Sequence, residues 1–148
     1  NIMDCNLNAA MLAEHMIMSI TTLNRRINSV TGTNTTNYIR QRRLARAKYL
    51  LKNSSMAMGE IQAVCGFESP SYFSRAFKQK FGYPPVEYIA KERSRKAAEL
   101  LSSNPRLTME KIAEMCGFGD KSSLYRSFEK FYGCSPSEYK KSILKTQK

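Results

Sequence analysis

The sequence predicts an all-α fold built from three tandem helix-turn-helix units that are joined by linker helices. The main observation is a repeat, since the stretch from Cys65 to Tyr88 returns fifty-one residues later as Cys116 to Tyr139. The second is an apolar stripe at helical spacing inside the repeat. The stripe consists of Phe73, Ala76, Phe77 and Phe81. A supersecondary unit that recurs at a fixed period indicates an array of that unit.

The charge balance indicates a polyanionic partner. The chain has 148 residues, of which 24 are Lys or Arg and 12 are Asp or Glu, so its net charge is +12. Nucleic acid is the leading candidate and an anionic membrane surface the second. No apolar run approaches the ~20 residues of a membrane span, and no signal peptide is visible. We therefore expect a cytoplasmic protein with no membrane partner.

The cysteine and histidine pattern argues against a metal site. The four cysteines form no CxxC pair, and His15 is the only histidine. Cys65 and Cys116 occupy equivalent positions in the repeat, where a small buried hydrophobe is expected rather than a reactive thiol. No nucleophile, proton shuttle or phosphate-binding Gly-rich loop is visible. We expect no enzyme activity, no cofactor and no small-molecule site.

The first unit is a weaker copy of the repeat. A helical pattern runs from Asn8 to Met18, and Ser19 can cap a second helix. The second helix is expected to turn Leu23, Ile27 and Val30 inward. The outward positions, which are the candidates for reading bases, are Thr21, Thr22, Asn24 and Arg25, with Asn28 beside them.

A linker helix follows, from about Thr35 to about Lys52, with Asn34 as its cap. Its inward stripe is Leu44, Ala47, Leu50 and Leu51. Its other side is basic, and no acidic residue occurs between Glu14 and Glu60. Such a face is either solvated or in contact with phosphate, and both readings carry equal weight. The candidates for phosphate contact are Arg26, Arg40, Arg42, Arg43, Lys78 and Lys80.

The second unit contains a short helix with Ile61, Val64 and Cys65 at helical spacing, which ends at Gly66. Ser69 can cap the next helix, and Phe73 and its stripe face inward. The opposite face is polar and basic, as expected for a helix that enters a DNA groove. The candidates for reading bases on this face are Ser71, Ser74 and Arg75.

The third unit follows a second linker-like helix. The positions that correspond to the first linker are Ile89, Ala97, Leu100 and Leu101. Thr108 can cap a short helix, and the next helix turns Leu124, Phe128 and Phe131 inward. Its outward candidates are Lys121, Ser122, Tyr125 and Arg126. Ser135 and Glu138 form a capping box with Pro136 at the first position, so a last helix is expected to about Lys145.

The segments Arg43–Leu51, Ser71–Lys78 and Pro85–Tyr88 together resemble the DNA-binding domain of AraC/XylS-type transcriptional regulators. The resemblance covers about residues 8–89. It implies a seven-helix domain in which a linker helix bridges two helix-turn-helix units, each with its second helix in a major groove. It assigns base reading in the first unit to Thr21, Thr22, Asn24 and Arg25. In the second unit it assigns base reading to Pro70, Ser71, Ser74 and Arg75, although a polar residue is usual at the place of Pro70. The chain is longer than this domain, so we expect one domain over residues 1–90 and a further helix and third unit over 91–148.

The expected function is sequence-specific binding to double-stranded DNA, as the DNA-binding part of a bacterial-type transcription regulator. The chain begins without Met, which suggests a part of a longer protein that could form a homodimer through an upstream domain. Two alternatives stay open. The third unit could be a protein-interaction or dimerisation module, because Glu129 stands where the second unit has Lys78. The basic chain could also bind RNA or other polyanions without sequence preference.

Overall fold

The computed structural model describes residues 1–146, and these residues form nine α-helices and no strand. The helices are α1 Ala9–His15, α2 Ile20–Thr31, α3 Thr35–Asn53, α4 Met58–Val64, α5 Pro70–Phe81, α6 Pro85–Ser103, α7 Met109–Met115, α8 Lys121–Tyr132 and α9 Pro136–Thr146. The all-α class and the three helix-turn-helix units predicted from the sequence are confirmed. Residues 147–148, the end of the predicted second domain, lie outside the described residues.

The chain divides into two compact parts. The N-terminal part comprises Asn1–Pro85, and the C-terminal part begins at Val86. The N-terminal part contains two helix-turn-helix motifs, α1–α2 and α4–α5, with α3 between them. The C-terminal part contains most of α6 and the third motif, α7–α8, followed by α9. This division lies five residues before residue 90, the predicted end of the first domain.

The three motifs share one turn geometry. The residue two positions after the short helix has a positive φ, which is 54° at Ile17 and 83° at both Gly66 and Gly117. The next amide then reaches back five residues to a carbonyl in the short helix. The donor and acceptor pairs are Met18 to Ala13, Phe67 to Gln62 and Phe118 to Ala113, with N to O distances of 3.0, 3.1 and 2.9 Å. These bonds satisfy carbonyls at the helix ends, as in other left-handed caps.

The second helix of each motif has the same length and equivalent caps. Each spans 12 residues, starts after a side chain that accepts a backbone N–H, and ends at a left-handed glycine. The N-caps are Ser19, Ser69 and Asp120, and the C-cap glycines are Gly32, Gly82 and Gly133. Glycine is favoured at the C-cap because it has no Cβ to clash at positive φ. The predicted caps Ser19 and Ser69 are confirmed.

The core of the N-terminal part forms around α3, which packs against both α2 and α4. Its predicted inward stripe is buried, together with Leu23, Ile61 and three aromatic rings. The rings are Phe67, Phe73 and Phe77, and the distance between the Phe67 and Phe73 centroids is 4.9 Å. Such a cluster buries a large apolar area in contact with the linker helix and its neighbours. The core therefore holds α2 and α5, the second helices of the two motifs of this part, on one scaffold.

One apolar residue that the sequence places inward is exposed. Val30 is 86% exposed near the end of α2. Helical spacing identifies the face of a helix, but it does not show how far along that face the neighbouring helices extend. The inward prediction was wrong for Val30 because it lies in the last turn of α2, where no packed neighbour covers the side chain.

The core of the C-terminal part is a separate cluster of α6, α7 and α8. Its buried members are Ala97, Ala98, Leu101, Ile112, Ala113, Cys116, Leu124 and Phe128. Ser94 is also fully buried, at the position that corresponds to Leu44 in α3. Its hydroxyl shares a 2.9 Å hydrogen bond with the Ser127 hydroxyl, which also donates to the Ala90 carbonyl at 3.3 Å. Because the two hydroxyls are hydrogen-bonded to each other, a serine is tolerated at this core position.

Residues 1–7 lie against α3, and we call this segment the N-terminal strap. Arg43 Nε donates to the Ile2 carbonyl at 2.9 Å, and its Nη2 donates to the carbonyls of Asp4 and Leu7. Gly66 lies beneath the same guanidinium, where a Cβ would stand 2.8 Å from Arg43 Nε and 2.7 Å from the Met3 carbonyl oxygen. Glycine is required at this close approach as well as for its positive φ.

Candidate nucleic-acid interface

We call the second helices of the three motifs, α2, α5 and α8, the recognition helices, and they share two exposed positions. The second residue of each helix carries a hydroxyl, and the sixth is an arginine. The hydroxyls belong to Thr21, Ser71 and Ser122, and the arginines are Arg25, Arg75 and Arg126. Residues four apart lie on one face of a helix, so each hydroxyl and its arginine face solvent together. This hydroxyl–arginine pair, repeated three times, is the most regular polar feature of the molecule.

The fifth position of the recognition helix is used differently. Asn24 Oδ1 accepts a hydrogen bond from the Thr35 amide at 3.0 Å, which supports the start of α3. The Tyr125 hydroxyl shares a hydrogen bond with the Ser137 hydroxyl in the first turn of α9. Both side chains therefore connect a recognition helix to the helix that follows. Ser74, at the same position of α5, is half-buried. The assignment of these residues as base readers stays a prediction, but two of them already bind within the protein.

Positions closer to the helix start are also partly engaged. Thr22 Oγ1 accepts from the Ser19 hydroxyl at 2.9 Å and is half-buried. Lys121 Nζ lies 3.3 Å from Glu110 Oε1 in the preceding helix. Pro70 is exposed as the first residue of α5, where a proline suits the helix start because its missing N–H would have no partner there. Among the predicted readers, the hydroxyl–arginine pairs thus remain the most accessible set.

The phosphate candidates fall into two groups. Arg26, Arg42, Lys78 and Lys80 are exposed. Arg40 is half-buried and donates to Asn37 Oδ1 at 2.9 Å, and Arg43 holds the strap. A cation that already makes several hydrogen bonds must give them up to bind a phosphate oxygen. The exposed group is therefore better placed to contact the phosphates of the DNA backbone. The sequence pattern did not separate the two groups, because it shows where the charges are but not which hydrogen-bond partners they have.

Charge is distributed differently in the two parts. The five ion pairs described within residues 1–146 all join side chains of the C-terminal part. They include Lys130 with Glu87 at 3.4 Å, in addition to the Lys121 pair. The cap of α8, Asp120, carries a negative charge, and hydrogen bonds from the Ser123 backbone amide and then its hydroxyl lower the pKa of this carboxyl. Around the third recognition helix, acidic side chains therefore offset the basic ones more than they do around the first two.

A cavity of about 210 Å³ opens beside the strap. Its walls include Leu7, Ile39, Arg40, Phe67 and Tyr72. This volume is below the roughly 300–1,000 Å³ of typical ligand pockets. Over residues 1–146, no three potential metal ligands come together, and no helix has the length and apolarity that a bilayer crossing requires.

The comparison with known proteins agrees with this geometry. A helix-turn-helix domain family matches residues 12–91 and again residues 75–142, and the first match alone spans more than half of the chain. The chain belongs to the AraC family of helix-turn-helix DNA-binding domains. The first AraC-type match contains the middle motif, and the second contains the third motif, α7–α8. The two matches overlap over residues 75–91, which are the end of α5 and the beginning of α6.

Relatives of this AraC-type chain are transcriptional regulators by name. The activator RhaR of Enterobacter sp. (strain 638) is 38% identical over 76 residues, which are 51% of this chain and 26% of RhaR. The probable regulator LumQ of Photobacterium leiognathi is 32% identical over 103 residues, 70% of this chain and 37% of LumQ. The chain thus matches about a quarter to a third of the length of these relatives.

A solved structure shows the same fold. The DNA-binding domain of AdpA, crystallised in complex with a target DNA, superposes with a TM-score of 0.61 at 22% identity. The match covers 73% of this chain and 95% of the AdpA domain. At this identity the structural match shows the fold alone. The family match confirms the AraC-type resemblance read from the sequence.

Proposed function

We propose that this chain binds double-stranded DNA with sequence specificity, through recognition helices that enter major grooves. The observation that carries the proposal is the exposed hydroxyl–arginine pair, which recurs at the same two positions of α2, α5 and α8. An arginine can donate two hydrogen bonds to guanine, and a hydroxyl can bond to several base edges. The pairs would supply specificity, and the exposed lysines and arginines around them would supply affinity.

The same proposal extends to the whole protein. RhaR is named a transcriptional activator, and LumQ a probable transcriptional regulator. By analogy, this chain serves as the DNA-binding part of a cytoplasmic bacterial regulator, without catalytic activity. A homodimer formed through another domain would place two such chains on one DNA site.

The third motif is included because Ser122 and Arg126 take the places of Ser71 and Arg75. A second candidate function for this motif is contact with a protein partner. The ion pairs of the C-terminal part favour that candidate, because paired charges are less available to phosphates. If the third motif binds a protein partner instead of DNA, the affinity of the chain for DNA duplexes should not depend on Arg126.

The test uses duplexes selected from a random pool by the full chain. Arg25→Ala, Arg75→Ala and Arg126→Ala should each lose about 1–3 kcal/mol of binding free energy and relax the preference at one base position. Arg106→Ala, an exposed arginine between α6 and α7, removes the same charge and is the matched control. Unchanged affinity in all three variants would overturn the proposal. A silent Arg126→Ala beside two weakened variants would assign the third motif to protein contact.

A nuclease footprint separates the same alternatives independently. If the three recognition helices enter successive major grooves, about one helical turn apart on one DNA face, they should protect about 30 base pairs. A footprint of about two turns, unchanged by Arg126→Ala, would show that the third motif does not bind DNA. Equal binding to RNA and other polyanions in competition would contradict sequence-specific recognition altogether.

A further inference from the structure

The ninth residue of each recognition helix occupies an equivalent and exposed place. Its carbonyl accepts the amide of the left-handed C-cap glycine in all three helices, at 2.8, 2.8 and 2.9 Å. The residues are Asn28, Lys78 and Glu129, and all three are exposed. The ninth residue lies seven positions after the shared hydroxyl, which is nearly two full turns. It therefore lies on the same face as the hydroxyl–arginine pair, about 10 Å further along the helix.

The ninth position differs in chemistry where the second and sixth positions are constant. An asparagine amide suits adenine, a lysine suits guanine, and a carboxylate accepts from the amino group of cytosine. The readers predicted from the sequence do not include this position. The signal was nevertheless present, because each of the three residues stands four before the glycine of its repeat.

Glu129 is the most informative of the three residues. An acidic side chain in the last turn of a helix opposes the helix dipole, so it does not help α8 to form. It stands three residues after Arg126, yet the ion pairs described within residues 1–146 do not join these two side chains. In a DNA groove, a carboxylate without a donor would also be repelled by the phosphates. A base that donates a hydrogen bond to the carboxylate would offset this repulsion.

We propose that Glu129 reads a cytosine, and so gives the third recognition helix a base preference that differs from those of the first two. The inference rests on the proposed function, since it requires α8 to lie in a major groove. The cytosine N4 amino group donates to the carboxylate, while guanine, adenine and thymine at that place leave the carboxylate less well satisfied. Glu129 then acts as a specificity-determining residue and lowers affinity for sequences without the cytosine.

The experiment measures dissociation constants of the full chain for duplexes that differ by single base pairs within the selected site. Replacing one cytosine should weaken binding of the unchanged protein by about 5- to 150-fold. In Glu129→Ala, that preference should disappear, while preferences at other positions persist. Lys78→Ala is the matched control at the ninth position of α5. As a phosphate contact, Lys78 should weaken binding to all duplexes alike when it is removed, and the cytosine preference should persist. Circular dichroism melting verifies that both variants are folded.

The outcomes separate this inference from the proposed function. If Glu129→Ala strengthens binding to every duplex equally, the carboxylate only repels DNA and the inference fails. It also fails if Arg126→Ala weakens binding while Glu129→Ala changes nothing. If neither variant of α8 affects binding while Arg75→Ala does, the third motif does not bind DNA, and the proposed function fails there first.

Discussion

At the scale of single residues, Ile17 has a strained backbone conformation. It is the only non-glycine residue with a positive φ among residues 1–146, and its side chain is 94% exposed. The equivalent residues of the other two motifs are glycines, Gly66 and Gly117. A β-branched side chain at positive φ is unfavourable, and this one recovers nothing through burial.

Ile17→Gly should therefore raise the free energy of unfolding by about 1 kcal/mol, because it removes a left-handed strain of roughly 1–2 kcal/mol at some cost in chain entropy. Urea unfolding followed by circular dichroism measures the change. Val30→Gly is the control, since it replaces an exposed β-branched residue within α2 and should destabilise the protein. A loss of stability in Ile17→Gly would show that the isoleucine is held by contacts that outweigh the strain.

Thr35 offers a second test at this scale. It is fully buried at the start of α3, and its hydroxyl is without a hydrogen-bond partner, while the corresponding residues in α6 and α9 are Pro85 and Pro136. Thr35→Val keeps the shape and removes the polar atom, so stability should rise by about 1 kcal/mol. Thr35→Ser keeps the hydroxyl and should lose stability instead. Equal melting temperatures for the two variants would contradict this account.

At the scale of helices, the sequence identified the elements that depend on near neighbours. Ser19, Asn34, Ser69 and Thr108 cap the helices that they were expected to cap, and Ser135 and Glu138 exchange the two bonds of a capping box. A cap involves residues only three apart, so the pattern is local. The long helix expected over about Thr35 to Lys52 is observed as α3 for the same reason.

Features that depend on distant residues were missed. Asn24 reaches the Thr35 amide eleven residues away, and Arg43 reaches Leu7 at a separation of thirty-six. A helical period shows neither hydrogen-bond partner. Both residues were therefore assigned to DNA contact, because periodicity alone places their side chains on an exposed face. The same limit explains Val30, whose exposure depends on where the neighbouring helices end.

The two sides of α3 should separate in a stability and binding experiment. Leu51 is 6% exposed in the core, so Leu51→Ala should lower stability by about 2–5 kcal/mol through the lost contacts and the cavity left behind. Arg42 is exposed, so Arg42→Ala should leave the melting temperature unchanged and reduce the salt slope of DNA binding by about 1. A thermally silent Leu51→Ala would contradict the core assignment, and an unchanged salt slope would remove Arg42 from the phosphate contacts.

At the scale of the whole molecule, the net charge of +12 should make DNA binding far more sensitive to salt than folding. Each phosphate contact contributes about −0.9 to the slope of log K against log salt concentration. The ion pairs described within residues 1–146 join mostly exposed side chains, and such pairs contribute little to stability.

Raising salt from about 50 to about 200 mM should therefore weaken DNA binding by orders of magnitude while the melting temperature hardly changes. Fluorescence anisotropy and thermal melting in matched buffers measure the two quantities. A melting temperature that fell in step with affinity would show that surface ion pairs hold the fold together, contrary to this account.

The N-terminal strap has a practical consequence for anyone who prepares this protein. A recombinant version that begins at Asn8 would retain every helix, yet it would remove the three carbonyls that receive the Arg43 guanidinium. A half-buried arginine without acceptors is unfavourable. A purification tag fused directly before α1 would leave the same surface, beside Arg43 and Gly66, without residues 1–7 to cover it. Expression vectors should therefore retain residues 1–7 and place any tag before them.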